Sequence, residues 1–364
     1  MKNAMTGRER FLTAMHHGQP DRVPLFDFLF EQDLFQAVNG RRPEVYNAED
    51  AVECTLRLDL DAVWVPADGF AGYAPTVISE DSYIDEWGTT YKKNGTSWPI
   101  DAPTGYPVRT MEDFKNFVSP NPDDPHRTKS LREALKLAEG RIAVLGGVTG
   151  PFTQLFFLMG MEEACVTAFE EPELFHAIMR MATDYNLRAG LKLLEAGADA
   201  IIISEDLGYN SGTFLSPSMT RAMILPYIRE MTAAFKKAGA TIMLHCDGNM
   251  NAILDDLAAL GVDGWQPLER KGNNDLGLVK AKYGKILTPI GNVDSSTTLP
   301  FGTKEEVIAQ TLECLRIGAP GGGYVLGSDH SLHDGIPVEN IFTMIETAKT
   351  YGEYPLNHSL LQLP

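Results

Sequence analysis

TIMLHCDGNMNAILDDLAALGVDGWQPLE, residues 241–269, reads as one strand–helix–strand unit. Apolar residues from Thr241 to Leu244 run into His245-Cys246-Asp247-Gly248. An amphipathic stretch, NMNAILDDLAALG, then leads to GWQPLE at Gly264–Glu269. The two apolar runs lack clean polar alternation, as expected of strands buried on both faces of a parallel sheet. Parallel neighbours need a crossover, and the helix between them supplies it.

The same unit recurs on either side. VPLFDF (Val23–Phe28), AVWVPAD (Ala62–Asp68), RIAVLGGV (Arg141–Val148) and AIIISED (Ala200–Asp206) precede it as strands. LTPIGNVD (Leu287–Asp294) and YVLGSDH (Tyr324–His330) follow. Between them Met161–Gly197 holds two helices, with Pro172 suited to the first turn of the second. Ser216-Pro217 starts another, which Pro226 kinks or divides. Eight strands in βα alternation predict a (β/α)8 TIM barrel with a leading helix, in one domain over residues 1–364. A doubly wound sheet is the rival, but no GxGxxG follows a strand. The excess length lies after the second strand, at about 69–140. There SYIDEWGTTYKKNGTSWPI surrounds Asn94-Gly95 and predicts a β-hairpin insertion.

Charge narrows the function. With 31 Lys+Arg against 49 Asp+Glu, the net charge is −18, which disfavours nucleic acid and anionic membrane surfaces. No apolar run is long enough for a bilayer span. The N-terminal MKNAMTGRERFLTAMHH is amphipathic rather than a signal peptide. Cys54, Cys165, Cys246 and Cys314 have no CxxC spacing, so a reduced, cytoplasmic protein is expected.

In a barrel of this kind the site gathers at the C-terminal ends of the strands, and there the chain is polar. His245 and Asp247 stand two apart on an extended strand and face one way, while Cys246 faces the other. Imidazole with carboxylate suits zinc or a similar divalent ion, or equally a His–Asp hydrogen bond that orients one polar group. His330, ending the eighth strand, completes a three-ligand set with an open fourth position. Glu205 is the candidate for a further ligand, or a buried carboxylate paired elsewhere. APGGGYV (Ala319–Val325) precedes its strand and reads as a tight helix-to-strand turn rather than a phosphate loop. His16, His17, His333 and Asp334 read as surface or rim residues, and Cys54, Cys165 and Cys314 as helix-face packing.

Five stretches together carry a resemblance. They are RERFLTAMHHGQPDRVP, GGVTGPFTQLFFLMGMEE, ISEDLGYNSGTFLSPSMTRAMILPYIREM, LHCDGNMNAILDDLAALGVDGWQP and APGGGYVLGSDHSLHDGIPVENI. Over nearly its whole length the chain resembles the uroporphyrinogen decarboxylase superfamily and its branch of corrinoid-linked methyltransferases. That resemblance implies a (β/α)8 barrel and a homodimer. The decarboxylase itself has an Arg-bearing PVWxMRQAGRY signature; here the stretch is VPLFDFLFEQDLF, which has no Arg for an octacarboxylate substrate.

The coenzyme M methyltransferases of that branch use His-x-Cys and a later Cys on zinc. Their motif falls on His245, Asp247 and the neighbourhood of His330. Nitrogen and oxygen donors leave the ion a stronger Lewis acid than thiolates do, which suits an ether oxygen. The resemblance therefore implies the first methyltransferase of an O-demethylase system, moving methyl from an aryl methyl ether to the cobalt(I) corrinoid of a partner protein. It implies zinc on His245, Asp247 and His330, with Glu205 as a possible fourth donor. Glu205, Asp206 and Tyr209 are the expected catalytic groups, the last two orienting substrate. Phe28, Trp64, Phe70, Phe152 and Tyr209 are the expected aromatic walls, and Asp68, Gln266 and Asn292 the contacts to ring substituents. A metal-free decarboxylase-like lyase and a methylcobamide:thiol methyltransferase are the alternatives.

Overall fold

The computed structural model describes residues 4–67, 75–93 and 98–357. The helix Gly7–Met15 leads, followed by the short strand β1 (Leu29–Phe30) and then β2 (Ala62–Pro66). An excursion of β3 (Thr76–Ser79), β4 (Ser82–Ile84), β5 (Thr90–Lys92) and β6 (Ala102–Gly105) comes next. β7 (Ala143–Thr149) and β8 (Ala200–Ser204) resume the parallel pattern, and a small hairpin follows, β9 (Gly208–Tyr209) with β10 (Gly212–Thr213). β11 (Thr241–His245), β12 (Gly264–Gln266), β13 (Thr288–Pro289) and β14 (Leu332–His333) complete the strands.

The result is an α/β fold around a parallel six-stranded sheet in the order β13-β12-β11-β8-β7-β2. Pairing beyond its two edges is carried by isolated parallel bridges, Leu25 to Leu326, Ile290 to Val325 and Val293 to Ser328, and by β1 with β14. Thus the first and last expected strands, Val23–Phe28 and Tyr324–His330, make bridges rather than continuous ladders. Residues such as Pro24, Gly327 and the buried Asp27 interrupt regular pairing there. Asp27 instead accepts from the backbone N–H and the hydroxyl of Ser328, at 2.7 and 2.8 Å.

An acid stands just before several strands and explains how they are aligned. Asp61, Asp199 and Asp263 each accept from the backbone N–H of a neighbouring run, at Leu25, Val144 and Ile242. Arg10 and Arg22 neutralise Asp61 from the leading helix and the loop after it. That helix closes this end of the sheet, placing Phe11, Ala14 and Met15 among the inward residues.

Strand parity separates two apolar clusters. Val63, Val65, Ile201, Ile203, Ile242 and Leu244 face the surrounding helices. Ala62, Trp64, Ala143, Leu145, Ala200, Ile202 and Met243 face inward. The helix signals fall where expected: Pro172 opens Pro172–Glu195, and Pro226 sits in the first turn of Leu225–Lys237, after a π-turn at Thr220–Ile224. Gly321, Gly322 and Gly323 all take positive φ in the helix-to-strand turn read from APGGGYV.

The insertion is larger than a hairpin. β3-β4-β5-β6 form a four-stranded antiparallel sheet, with Tyr83 stacked on Tyr91 at 5.4 Å. Asn94-Gly95, expected to be its turn, lies outside the described residues. Among the described residues no helix is long and apolar enough to cross a membrane.

Candidate functional site

Following the inward parity upward leads to a cavity of about 220 Å3. Ala62 and Trp64 lead to Pro66; Leu145 leads past Gly147 to Thr149; Ile202 leads to Ser204 and Asp206; Met243 leads to His245. Pro66, Thr149, Ser204, Asp206 and His245 all line the cavity. Gly147 has no side chain because Trp64 occupies the space: a Cβ there would overlap its indole nitrogen.

Three polar side chains meet at the strand ends. Nε2 of His330 lies 3.4 Å from Oδ2 of Asp247, and the His330 and His245 rings meet edge to face with centroids 5.8 Å apart. Gln266 sets the His245 tautomer. Its Nε2 donates to the His330 carbonyl at 2.7 Å, so its Oε1 faces His245 Nδ1 at 2.5 Å as an acceptor. Nδ1 therefore carries the hydrogen, and Nε2 keeps its lone pair. Phe28 packs edge-on against the same ring at 5.2 Å.

Burial, with His330 adding to it, pushes His245 down to about 4, so this imidazole is neutral. Burial would likewise lower His330 and raise Asp247. The bond between them prevails, holding His330 above and Asp247 below their ordinary values. Asp206 is raised by burial and by Asp247. Its backbone N–H donates to Thr153 Oγ1 at 2.8 Å, and its carboxyl faces the cavity.

The opposite part of the lining comes from the insertion. Asp85, Glu86, Trp87, Tyr91, Ile100 and Asp101 complete the cavity with Phe28, Phe30, Trp64 and Phe157. The insertion is anchored where Thr89 Oγ1 donates to the Phe157 carbonyl at 2.7 Å. Trp87 also meets Tyr185 edge-on at 4.5 Å, and the buried Arg127 forks onto both oxygens of Glu86 at 2.5 and 2.6 Å.

Phe28, Trp64, Asp206, His245, Asp247 and His330 are thus brought together. Others expected with them are elsewhere. Glu205 shares the outward parity of Ile201 and Ile203, so it caps the helix Pro151–Met159. It accepts from the N–H groups of Phe152 and Thr153 at 3.2 and 2.9 Å, and burial raises it to about 8. Phe152 is wholly buried against Phe156 and Phe175 and is no cavity wall. Tyr209 is 53% exposed and stacks on Phe214. Asn292 donates to the Leu268 carbonyl at 2.6 Å within the protein. Gln266 orients His245 instead of lining the cavity. Asp68 and Phe70 lie outside the described residues. Sequence reading missed Phe30, Trp87, Tyr91, Asp85, Glu86 and Asp101. The one signal available was the aromatic and acidic content of SYIDEW beside the parallel strands.

A family model described as uroporphyrinogen decarboxylase matches residues 102–351. The methylcobamide:CoM methyltransferase MtaA of Methanosarcina barkeri is 25% identical over 230 residues, 62% of this chain and 65% of that enzyme. The match thus spans just under two thirds of the methyltransferase. A uroporphyrinogen decarboxylase of Coxiella burnetii (strain Dugway 5J108-111) is 21% identical over 96% of this chain and 97% of that enzyme. The fold agrees with that of a methyltransferase from Methanosarcina mazei, with a TM-score of 0.74 at 22% identity over 95% of this chain and 99% of the other.

Proposed function

The chain belongs to the uroporphyrinogen decarboxylase family, and we propose that within it this enzyme moves a methyl group from an aryl methyl ether to a cobalt(I) corrinoid carried by a partner protein. The observation that carries this reading is an aromatic-walled cavity ending in His245, His330 and Asp206, with neither Lys nor Arg among the described residues of its lining. Such walls accept a ring and give nothing to neutralise a substrate bearing eight carboxylates. The likeness to a methylcobamide:CoM methyltransferase supports a corrinoid partner. The same reading takes the six-stranded sheet and its flanking bridges as one (β/α)8 barrel and the chain as one domain.

Zinc fits this site in donor chemistry. His245 offers a neutral Nε2 lone pair, Asp247 is held ionised, and the 3.4 Å between Asp247 and His330 is close to the spacing of two ligands on one zinc, about 3.3 Å. Among the described residues no three such side chains are gathered as a metal site, so the zinc reading rests on the chemistry of these donors. Bound zinc would supply Lewis acidity toward the ether oxygen. Glu205, spent on its helix, is left out of this donor set.

The chain's own groups do the remaining work. Phe28, Phe30 and Trp64 hold the ring and exclude water. The insertion covers it. Asp206, raised by burial, can keep a proton at the inner end for the departing oxygen. Gln266 keeps His245 in one tautomer.

The test is a panel of methoxyaromatics, methanol and methylamines, offered with reduced corrinoid protein to zinc-replete enzyme. Methyl transfer from a methoxyaromatic, lost in His245→Ala, is expected. Failure with every donor would overturn the reading, and carbon dioxide release from a tetrapyrrole acid would replace it with decarboxylation.

A further inference from the structure

Asp85, Glu86, Asp101 and Asp206 line the cavity, and none of its lining residues is Lys or Arg. The residues between Ala67 and Trp98 that fall outside the described ranges contain neither. Pairing uses up part of this charge. Arg127 neutralises Glu86, and Asp247 answers His330. Among the described residues no ion pair answers the other three carboxylates. Asp85 accepts from the backbone of Trp87 and Thr89 at 2.9 and 2.8 Å, and Asp101 from the Tyr83 hydroxyl at 3.1 Å. All three donors are neutral dipoles, as is the Tyr91 hydroxyl that also bonds Asp85. Burial pushes Asp85 up to about 6, the behaviour of a carboxylate without a cation beside it.

Trp64, Trp87 and Tyr91 line the same walls. Aromatic faces and unpaired carboxylates share one preference. Both attract a positive charge, and the attraction grows when water is displaced.

We infer that the methyl donor is a cation, a methylated compound whose ammonium group lies between Asp101, Asp85 and the aromatic residues of the insertion while its transferable methyl points to His245 and His330. The word donor rests on the methyl-transfer reading; the charge preference stands on the lining alone. It divides the cavity. The strand ends hold the reacting group, and the insertion reads the charge.

Three ligands of one shape and different charge test this on the full chain by calorimetry: (4-methoxyphenyl)trimethylammonium, its uncharged isostere 4-tert-butylanisole, and 4-methoxybenzoate. The ammonium is expected to bind about tenfold tighter than the isostere, with the benzoate weakest. Asp101→Asn should cut that ratio several-fold while leaving the isostere's affinity in place, which also reports that the variant is folded. Equal or tighter binding of the isostere, or an unchanged ratio in Asp101→Asn, would overturn the inference. Methyl release to reduced corrinoid is followed on the same three compounds. Selective binding of the ammonium without release from any of them upholds the charge preference and removes the methyl-transfer reading. Equal release from all three upholds that reading and overturns the preference.

Discussion

Nε2 of His330 and Oδ2 of Asp247, 83 positions apart in sequence, stand 3.4 Å apart at the inner end of the cavity. This bond is the largest influence holding the charges of the pair against the burial that acts on both.

Asp247→Asn should therefore lower the His330 pKa. His330 is raised above 6.5 in the folded protein, so the stability its proton contributes is complete below pH 6.5 and fades as pH rises through the raised value. Histidine NMR titration after chelator treatment reads both effects. A His330 that titrates alike in wild type and variant would break the link.

Gln266→Leu should uncouple the two histidines. The substitution removes the acceptor that fixes His245 and the donor to the His330 carbonyl. Loss of such an orienting partner typically costs about 10- to 100-fold in metal affinity or activity. Methyl-transfer rate and zinc affinity, measured together, should fall together, with thermal unfolding only modestly affected.

Gly147→Ala forces Trp64 out of its place, since the added methyl overlaps the indole nitrogen and the strand cannot retreat. A cost of about 1–3 kcal/mol in stability is expected for overpacking of this kind. Denaturant unfolding gives the stability, and near-ultraviolet circular dichroism should register the displaced indole. An unaltered spectrum with native ligand affinity would contradict the close packing.

Glu205 predicts a pH slope. Its carboxyl is raised from 4.5 to about 8, so the folded state holds a proton that the unfolded chain has released between those values. Stability from this group is accordingly greatest below pH 4.5 and declines toward pH 8, by up to about 1.4 kcal/mol per unit. Glu205→Gln can still accept from Phe152 and Thr153 without ionising. Its denaturant midpoint should lose this decline and exceed that of wild type at pH 8.

Much of this was legible in the residues themselves, for a physical reason. Buried parallel strands announce themselves as AIIIS or TIML, and period two places His245 and Asp247 on one side of Cys246. Cys246 is indeed fully buried, with its sulfur 3.5 Å from that of Met250. The same parity, counted on from Ile202, would have given Asp206 to the cavity and Glu205 to the helices. Acidity at a strand end does not tell the two apart; position does. Trp87, Tyr91 and Asp101 were out of reach because the insertion folds back over the strands by antiparallel pairing, which no period in the chain records. The first and last strands were read as regular because their apolar content is. Their pairing is broken by local side-chain bonds such as Asp27 to Ser328.

Glu86 and Arg127 join the insertion to the helical layer as a single buried clasp. The groups at the strand ends belong to the parallel sheet, and the groups facing them belong to β3–β6. On the reading proposed above, the groups that would sense a ligand's charge and the groups that would react with it thus occupy separate stretches of the gene. On that reading, changing the cover around a retained Glu86–Arg127 clasp should give the same chemical centre a different clientele.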